Sequence, residues 1–168
     1  MAAGVARPVI MPLSNPTSQA EATPADLLAW TNGRALIATG SPFDAVVWGG
    51  RSVRVGQGNN AFVFPGLGLG VLVAGAREVS DAMCRVAAER LAEQVAPDDL
   101  AGGRLFPPVH DLRGVALGIA QAVVREARDS GLGRRLDDDA IPAAVAAATW
   151  ERRYPRLCPT SGDQDRGF

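Results

Sequence analysis

Hydrophobic residues in this chain occur first as short unbroken runs and later as long helical stripes. Pro8-Val-Ile-Met-Pro-Leu13 and Ala35-Leu-Ile-Ala-Thr39 are apolar without alternation, as expected of strands covered on both faces of a parallel sheet. Each stops at turn formers, Asn15-Pro16 after the first and Gly40-Ser41-Pro42 after the second. Between them, Thr23-Pro24 predicts a cap followed by proline in the first turn of a helix. That helix runs through Asp26 to Trp30 and ends at Asn32-Gly33. Strand, helix and strand within about thirty residues predict a βαβ unit. Open sheets of this kind bind ligands beyond the carboxyl ends of their strands, where Asn15 and Ser41 both fall. Gly49-Gly50, between Ala45–Trp48 and Ser52–Val55, predicts a small hairpin beside that edge.

After Pro65 the pattern is helical. Helices are expected over Leu67–Ala76, from a Ser80 cap to about Val95, over Pro108–Ser130 and over Asp138–Arg153, with a short turn between Pro97 and Gly102-Gly103. In the second of these, Val79, Met83, Val86, Ala87, Arg90, Leu91 and Gln94 lie mostly on one face. The fold class is therefore α/β, a partial Rossmann-like parallel sheet followed by a helical C-terminal region. Met1-Ala-Ala-Gly4 reads as the last turn of a helix entering the first strand. Two parallel strands are also fewer than a doubly wound domain needs. The expectation is the back half of a nucleotide-binding domain over residues 1–157, with a polar, disordered tail over 158–168.

Composition narrows the function. A chain of 168 residues with 47% hydrophobic residues and a formal charge of -1 reads as one soluble domain. It offers no electrostatic case for nucleic acid or an anionic membrane. No apolar run approaches a membrane span, and the N-terminus lacks the pattern of a signal peptide. Cys84 and Cys158 have no metal-ligand spacing and read as reduced thiols of a cytoplasmic protein. All 17 basic residues are arginine, and His110 and Tyr154 are the only residues of their types. Arginine stays protonated near neutral pH and is a poor general base, so the chain is thinly equipped for proton transfer.

Two asparagine loops carry the candidate chemistry, Leu13-Ser-Asn-Pro-Thr17 and Gly56-Gln-Gly-Asn-Asn60. An asparagine amide offers two donors and one acceptor without net charge, so it holds a carboxylate or a carboxamide without burying an ion. The plain alternatives are an Asn-Pro turn and a glycine-rich turn into a helix. Other motifs are structural on their face. Gly66-Leu-Gly-Leu-Gly70 has the wrong spacing for a dinucleotide fingerprint and fits close helix packing. Asp137-Asp-Asp139 diverges around a helix start and suits its dipole rather than a metal. His110 reads as a surface residue, Cys84 as a small core residue, and Trp30, Trp48 and Trp150 as packing groups.

Leu13-Ser-Asn-Pro-Thr-Ser-Gln-Ala-Glu21, Ala38-Thr-Gly-Ser-Pro-Phe43 and Gly56-Gln-Gly-Asn-Asn60 through Phe64-Pro-Gly66 resemble the malic enzymes. The resemblance is to the carboxyl-terminal part of their NAD(P)-binding domain, of the long bacterial and eukaryotic type, from about Arg7 to Leu157. It implies an enzyme that oxidises malate with NAD or NADP and decarboxylates the product to pyruvate on Mg²⁺ or Mn²⁺, as a homo-oligomer. It assigns Asn15 and the Asn59-Asn60 pair to malate, leaving open which amide of the pair points at it, and Ser14, Asn15 and Asn60 to the cofactor. It assigns no catalytic residue and no metal ligand here. The family's lysine, tyrosine and acidic ligands lie upstream of the matched segment, this chain has no lysine, and Tyr154 stands on no matching motif. The expectation is a portion of a malic enzyme, inactive alone, whose partner is the missing N-terminal part. A second reading is a non-catalytic module that docks onto a complete malic enzyme or tunes its assembly. A free-standing nucleotide-binding domain is disfavoured, because no fingerprint is present.

Overall fold

A computed structural model describes residues 3–151. The sheet is built around one buried strand, β2 (Leu36–Thr39), with β1 (Val9–Ile10) parallel on one side and β5 (Gly56–Gln57) parallel on the other. The ladder of β1 is shorter than the apolar run Pro8–Leu13 predicts. Pro8 and Pro12 still lie alongside β2, their carbonyls accepting from Leu36 and Gly40 at 2.9 Å each, but proline has no N–H to return. The third parallel strand was not expected. It is two residues long and glycine-bearing, and it escapes a reading based on apolar runs.

Helix α1 (Pro24–Thr31) crosses from β1 to β2 as the βαβ pattern requires. Thr23 and Asp26 form a reciprocal capping box, and Asn32 closes the helix in the left-handed region at φ 51°. The hairpin of β3 (Val46–Trp48) and β4 (Arg51–Val53) turns through Gly49 and Gly50, both at positive φ, as two-residue hairpins prefer. A small apolar cluster of Leu27, Leu28, Ala35 and Ile37 joins α1 to the sheet.

Most of the core lies in the helical region. There α2 (Phe64–Ala74), α3 (Asp81–Glu93), α5 (Leu112–Asp129) and α6 (Ile141–Ala148) enclose Phe62, Met83, Ile119, Val123, Val124 and Ile141; the short α4 (Pro97–Ala101) links α3 to the turn before α5. Gly66 and Gly70 allow α2 to lie directly on α5. A Cβ on either would sit 2.7 Å from Ile119 or Val123. Gly68, on the other face, meets nothing within 4 Å, so only two of the three glycines serve the packing expected of them.

Other expectations are corrected. Cys84 is exposed, because Met83, Ala87 and Leu91 take the inward face of α3 and the next residue turns about 100° away. Trp48 covers Gly33 and is half-buried, but Trp30 and Trp150 are exposed. The aspartate run precedes α6 rather than entering its first turn. Asp138 instead accepts from Arg125 and Arg128 at 3.3 and 3.0 Å, and Arg128 holds its carboxyl below the usual range. Helix α6 ends at Ala148, short of the expected Arg153. The tail at 158–168, Tyr154 and Cys158 lie outside the described residues.

Among the described residues, β1 has no partner on its outer side, and Val9, Met11 and Leu13 stand 46%, 43% and 50% exposed along it. Leu72 and Phe64 expose a further apolar stripe on α2. Unpaired strand edges and apolar patches of this kind recruit other chains. The isolated chain is therefore expected to self-associate at micromolar concentration, and Met11→Lys should shift it toward monomer in sedimentation velocity. A wild-type chain that sediments as a monomer would show that this edge is inert.

Candidate functional site

Three parallel strands end on the same side of the sheet, so the loops after β1, β2 and β5 meet there. The loop after β1 is clamped at two points. Ser14 Oγ donates to Glu21 Oε1 at 2.7 Å, which holds the Glu21 carboxyl below the usual carboxylate range. Ser41 Oγ donates to Asn15 Oδ1 at 2.7 Å. The Asn15–Pro16 peptide is cis. Ser41 is itself buried, and its backbone carbonyl accepts from Thr39 Oγ1 at 2.8 Å. The amide oxygen of Asn15 is thereby committed to the protein, while its two N–H donors remain exposed to solvent.

The loop after β5 is tied to the same strand end. Gly58 N–H donates to the Thr39 carbonyl at 2.8 Å, and Gln57 Nε2 donates to the Gly40 carbonyl at 3.0 Å. Asn59 caps a 3-10 turn over Asn60–Phe62, its Oδ1 accepting from Ala61 N at 2.9 Å. Among the described residues, Asn60 makes no side-chain hydrogen bond. Behind the turn, Phe62 is buried and stacks on Phe106 with ring centroids 6.0 Å apart, which fixes the loop to the helical core. Gly40 and Gly58 permit the close approach of the first loop. A Cβ on Gly40 would collide with the carbonyl of Leu13, and one on Gly58 would lie 3.0 Å from the Leu13 side chain.

The arrangement thus brings Ser14, Asn15, Asn59 and Asn60 to one edge of the sheet, and all four are exposed. They differ in how free they are. Ser14 is committed to Glu21, the Asn59 oxygen to its cap and the Asn15 oxygen to Ser41, whereas Asn60 and the N–H groups of Asn15 and Asn59 have no hydrogen-bond partner among the described residues. Glu21, Thr39, Ser41 and Gln57 form the support that the sequence reading did not assign. All four lie within the three sequence motifs that carry the resemblance, which was the signal for them. No group of three or more His, Cys, Asp or Glu among the described residues could hold a metal ion, and no described helix is long and apolar enough to cross a membrane. His110 sits exposed in a short turn with its Nε2 3.6 Å from Asp111, and it lines a hollow with Pro42, Phe43 and Gln57 at the ends of β2 and β5.

The family model described as malic enzyme, NAD binding domain, matches residues 1–128. An NAD-dependent malic enzyme of Shewanella baltica is 47% identical over 157 residues, covering 93% of this chain and 28% of that protein. One from Shewanella frigidimarina is 46% identical over 155 residues, with 92% and 28% covered. The chain therefore spans little more than a quarter of the length of these relatives. The crystal structure of malic enzyme from Pyrococcus horikoshii superposes with a TM-score of 0.61 at 23% identity, over 83% of this chain and 29% of that one. At that identity the likeness speaks for the fold alone.

Proposed function

The chain belongs to the malic enzyme family through its NAD-binding domain, and from that premise we propose that it presents malate and the nicotinamide to each other. The observation that carries this reading is the convergence of Asn15 and Asn60 at one sheet edge, with donors that no group among the described residues uses. Malate offers two carboxylates and a hydroxyl, and nicotinamide a carboxamide, all of which accept hydrogen bonds from amide N–H groups. The Asn15 N–H groups suit an acceptor on either partner. Asn59 and Asn60 suit a malate carboxylate, Asn60 also suits the carboxamide, and Ser14 stands beside Asn15 on the cofactor side while its bond to Glu21 holds the loop. The bound NAD or NADP would supply hydride acceptance, and these residues fit its nicotinamide end only.

Oxidation at C2 needs a base for the hydroxyl, and decarboxylation is eased by a Lewis acid on the C2 oxygen. This chain has no lysine, and its described residues present no metal cluster. The reading therefore has the base and the Mg²⁺ or Mn²⁺ ligands come from other residues of a malic enzyme, as a cytoplasmic homo-oligomer that converts malate to pyruvate and CO₂. The test is a chimera in which this chain replaces the matching segment of a full-length relative. The chimera should retain malate-dependent cofactor reduction. A folded chimera without activity would refute the assignment.

A further inference from the structure

At the opposite end of the sheet, where β1 and β2 begin, a hollow of about 390 Å³ opens between the β3–β4 hairpin and the glycines that follow α4. This is within the range of small-molecule pockets, roughly 300–1,000 Å³. Arg7, Asn32, Trp48, Arg51 and Ser52 give it side chains, and no carboxylate lines it. Arg54 and Arg104 share the single carboxylate of Asp99, at 2.7 and 3.2 Å. Arg34 reaches the carbonyls of Val5 and Ala6 beside Arg7.

Among the described arginines elsewhere, Arg85 pairs with Glu89, Arg90 with Glu93, and Arg125 and Arg128 with Asp138, whereas Arg113, Arg134 and Arg135 form no ion pair. Arg7 and Arg51 make no hydrogen bond or ion pair among the described residues, yet both face one concavity. A guanidinium presents five donors in a fork that matches the oxygens of phosphate and carboxylate groups. Two of them, with an amide and a hydroxyl between and an indole as one wall, form a donor-rich site for a multiply charged anion. We propose that this hollow binds a small polyanion bearing phosphate or carboxylate groups, at the end of the sheet remote from the asparagine loops.

Trp48 provides the readout. Trp30 and Trp150 are exposed, so a Trp30→Phe/Trp150→Phe background leaves Trp48 as the sole emitter without touching the core. Pyrophosphate and citrate, titrated separately at constant ionic strength, distinguish the phosphate from the carboxylate source. At least one should change Trp48 emission saturably. Arg7→Gln/Arg51→Gln should weaken that binding by about tenfold or more with an unchanged circular dichroism spectrum, whereas Arg113→Gln/Arg134→Gln should not. A response no larger than that to sodium chloride at matched ionic strength would overturn the proposal. So would equal binding by the Arg7→Gln/Arg51→Gln variant.

Discussion

In a malic enzyme carrying this chain as its matching segment, Asn60→Ala should lower malate kcat/KM by about 5- to 150-fold, the range for losing a donor that costs about 1–3 kcal/mol. Its stability should stay within about 0.5 kcal/mol of wild type, because the exposed side chain has no hydrogen-bond partner among the described residues. The neighbouring amides behave differently for identifiable reasons. Asn59→Ala removes the cap on Ala61 N–H, and should cost about 0.5–2 kcal/mol of stability besides any kinetic effect. Asn15→Ala removes a ligand donor and also strands the buried Ser41 hydroxyl. It should lower both malate efficiency and stability, the latter by about 1–3 kcal/mol. Steady-state kinetics beside urea unfolding separates the three patterns. An Asn60→Ala enzyme with unchanged kinetics would remove Asn60 from the site.

Gly40→Ala should be as damaging as any loss of an amide, although glycine touches no ligand. Its Cβ would meet the carbonyl of Leu13, a backbone atom that can move only by shifting the Ser14-Asn15 loop. Overpacking of this kind costs about 1–3 kcal/mol. Here the displaced segment is the one that aims the Asn15 amide, so kcat/KM should fall alongside unfolding stability. Gly68→Ala is the matched control. It sits in α2 with nothing within 4 Å, and relief of glycine's backbone entropy should leave the protein as stable or more so, by up to about 1 kcal/mol. If both variants behaved alike, the close crossing of the first two strand exits would not be what positions the loop.

Much of this is legible in the sequence. Thr23-Pro24 and Asn32-Gly33 mark the ends of α1 by local backbone chemistry alone, and Gly49-Gly50 marks the hairpin for the same reason. The asparagine loops were legible because strands that end in turn formers put those turns at the binding edge. What stayed hidden depends on contacts between distant segments. Strand β5 is two residues held by pairing with Ala38 and Thr39, and no local pattern announces it. Ser41 and Gln57 earn their roles from partners 26 and 17 positions away. The exposure of Cys84, Trp30 and Trp150 reflects which helix faces found neighbours, which residue type alone does not decide.

The central claim is that this chain contributes oriented amides while the base and metal ligands come from elsewhere. Its most direct test is the chain alone, folded by circular dichroism, given malate, NAD or NADP, and Mg²⁺ or Mn²⁺, with reduced cofactor followed by absorbance. The account predicts no malate-dependent signal, since these 168 residues include no lysine to take the hydroxyl proton. Turnover at about one per second or above, the ordinary range for enzymes, would contradict it.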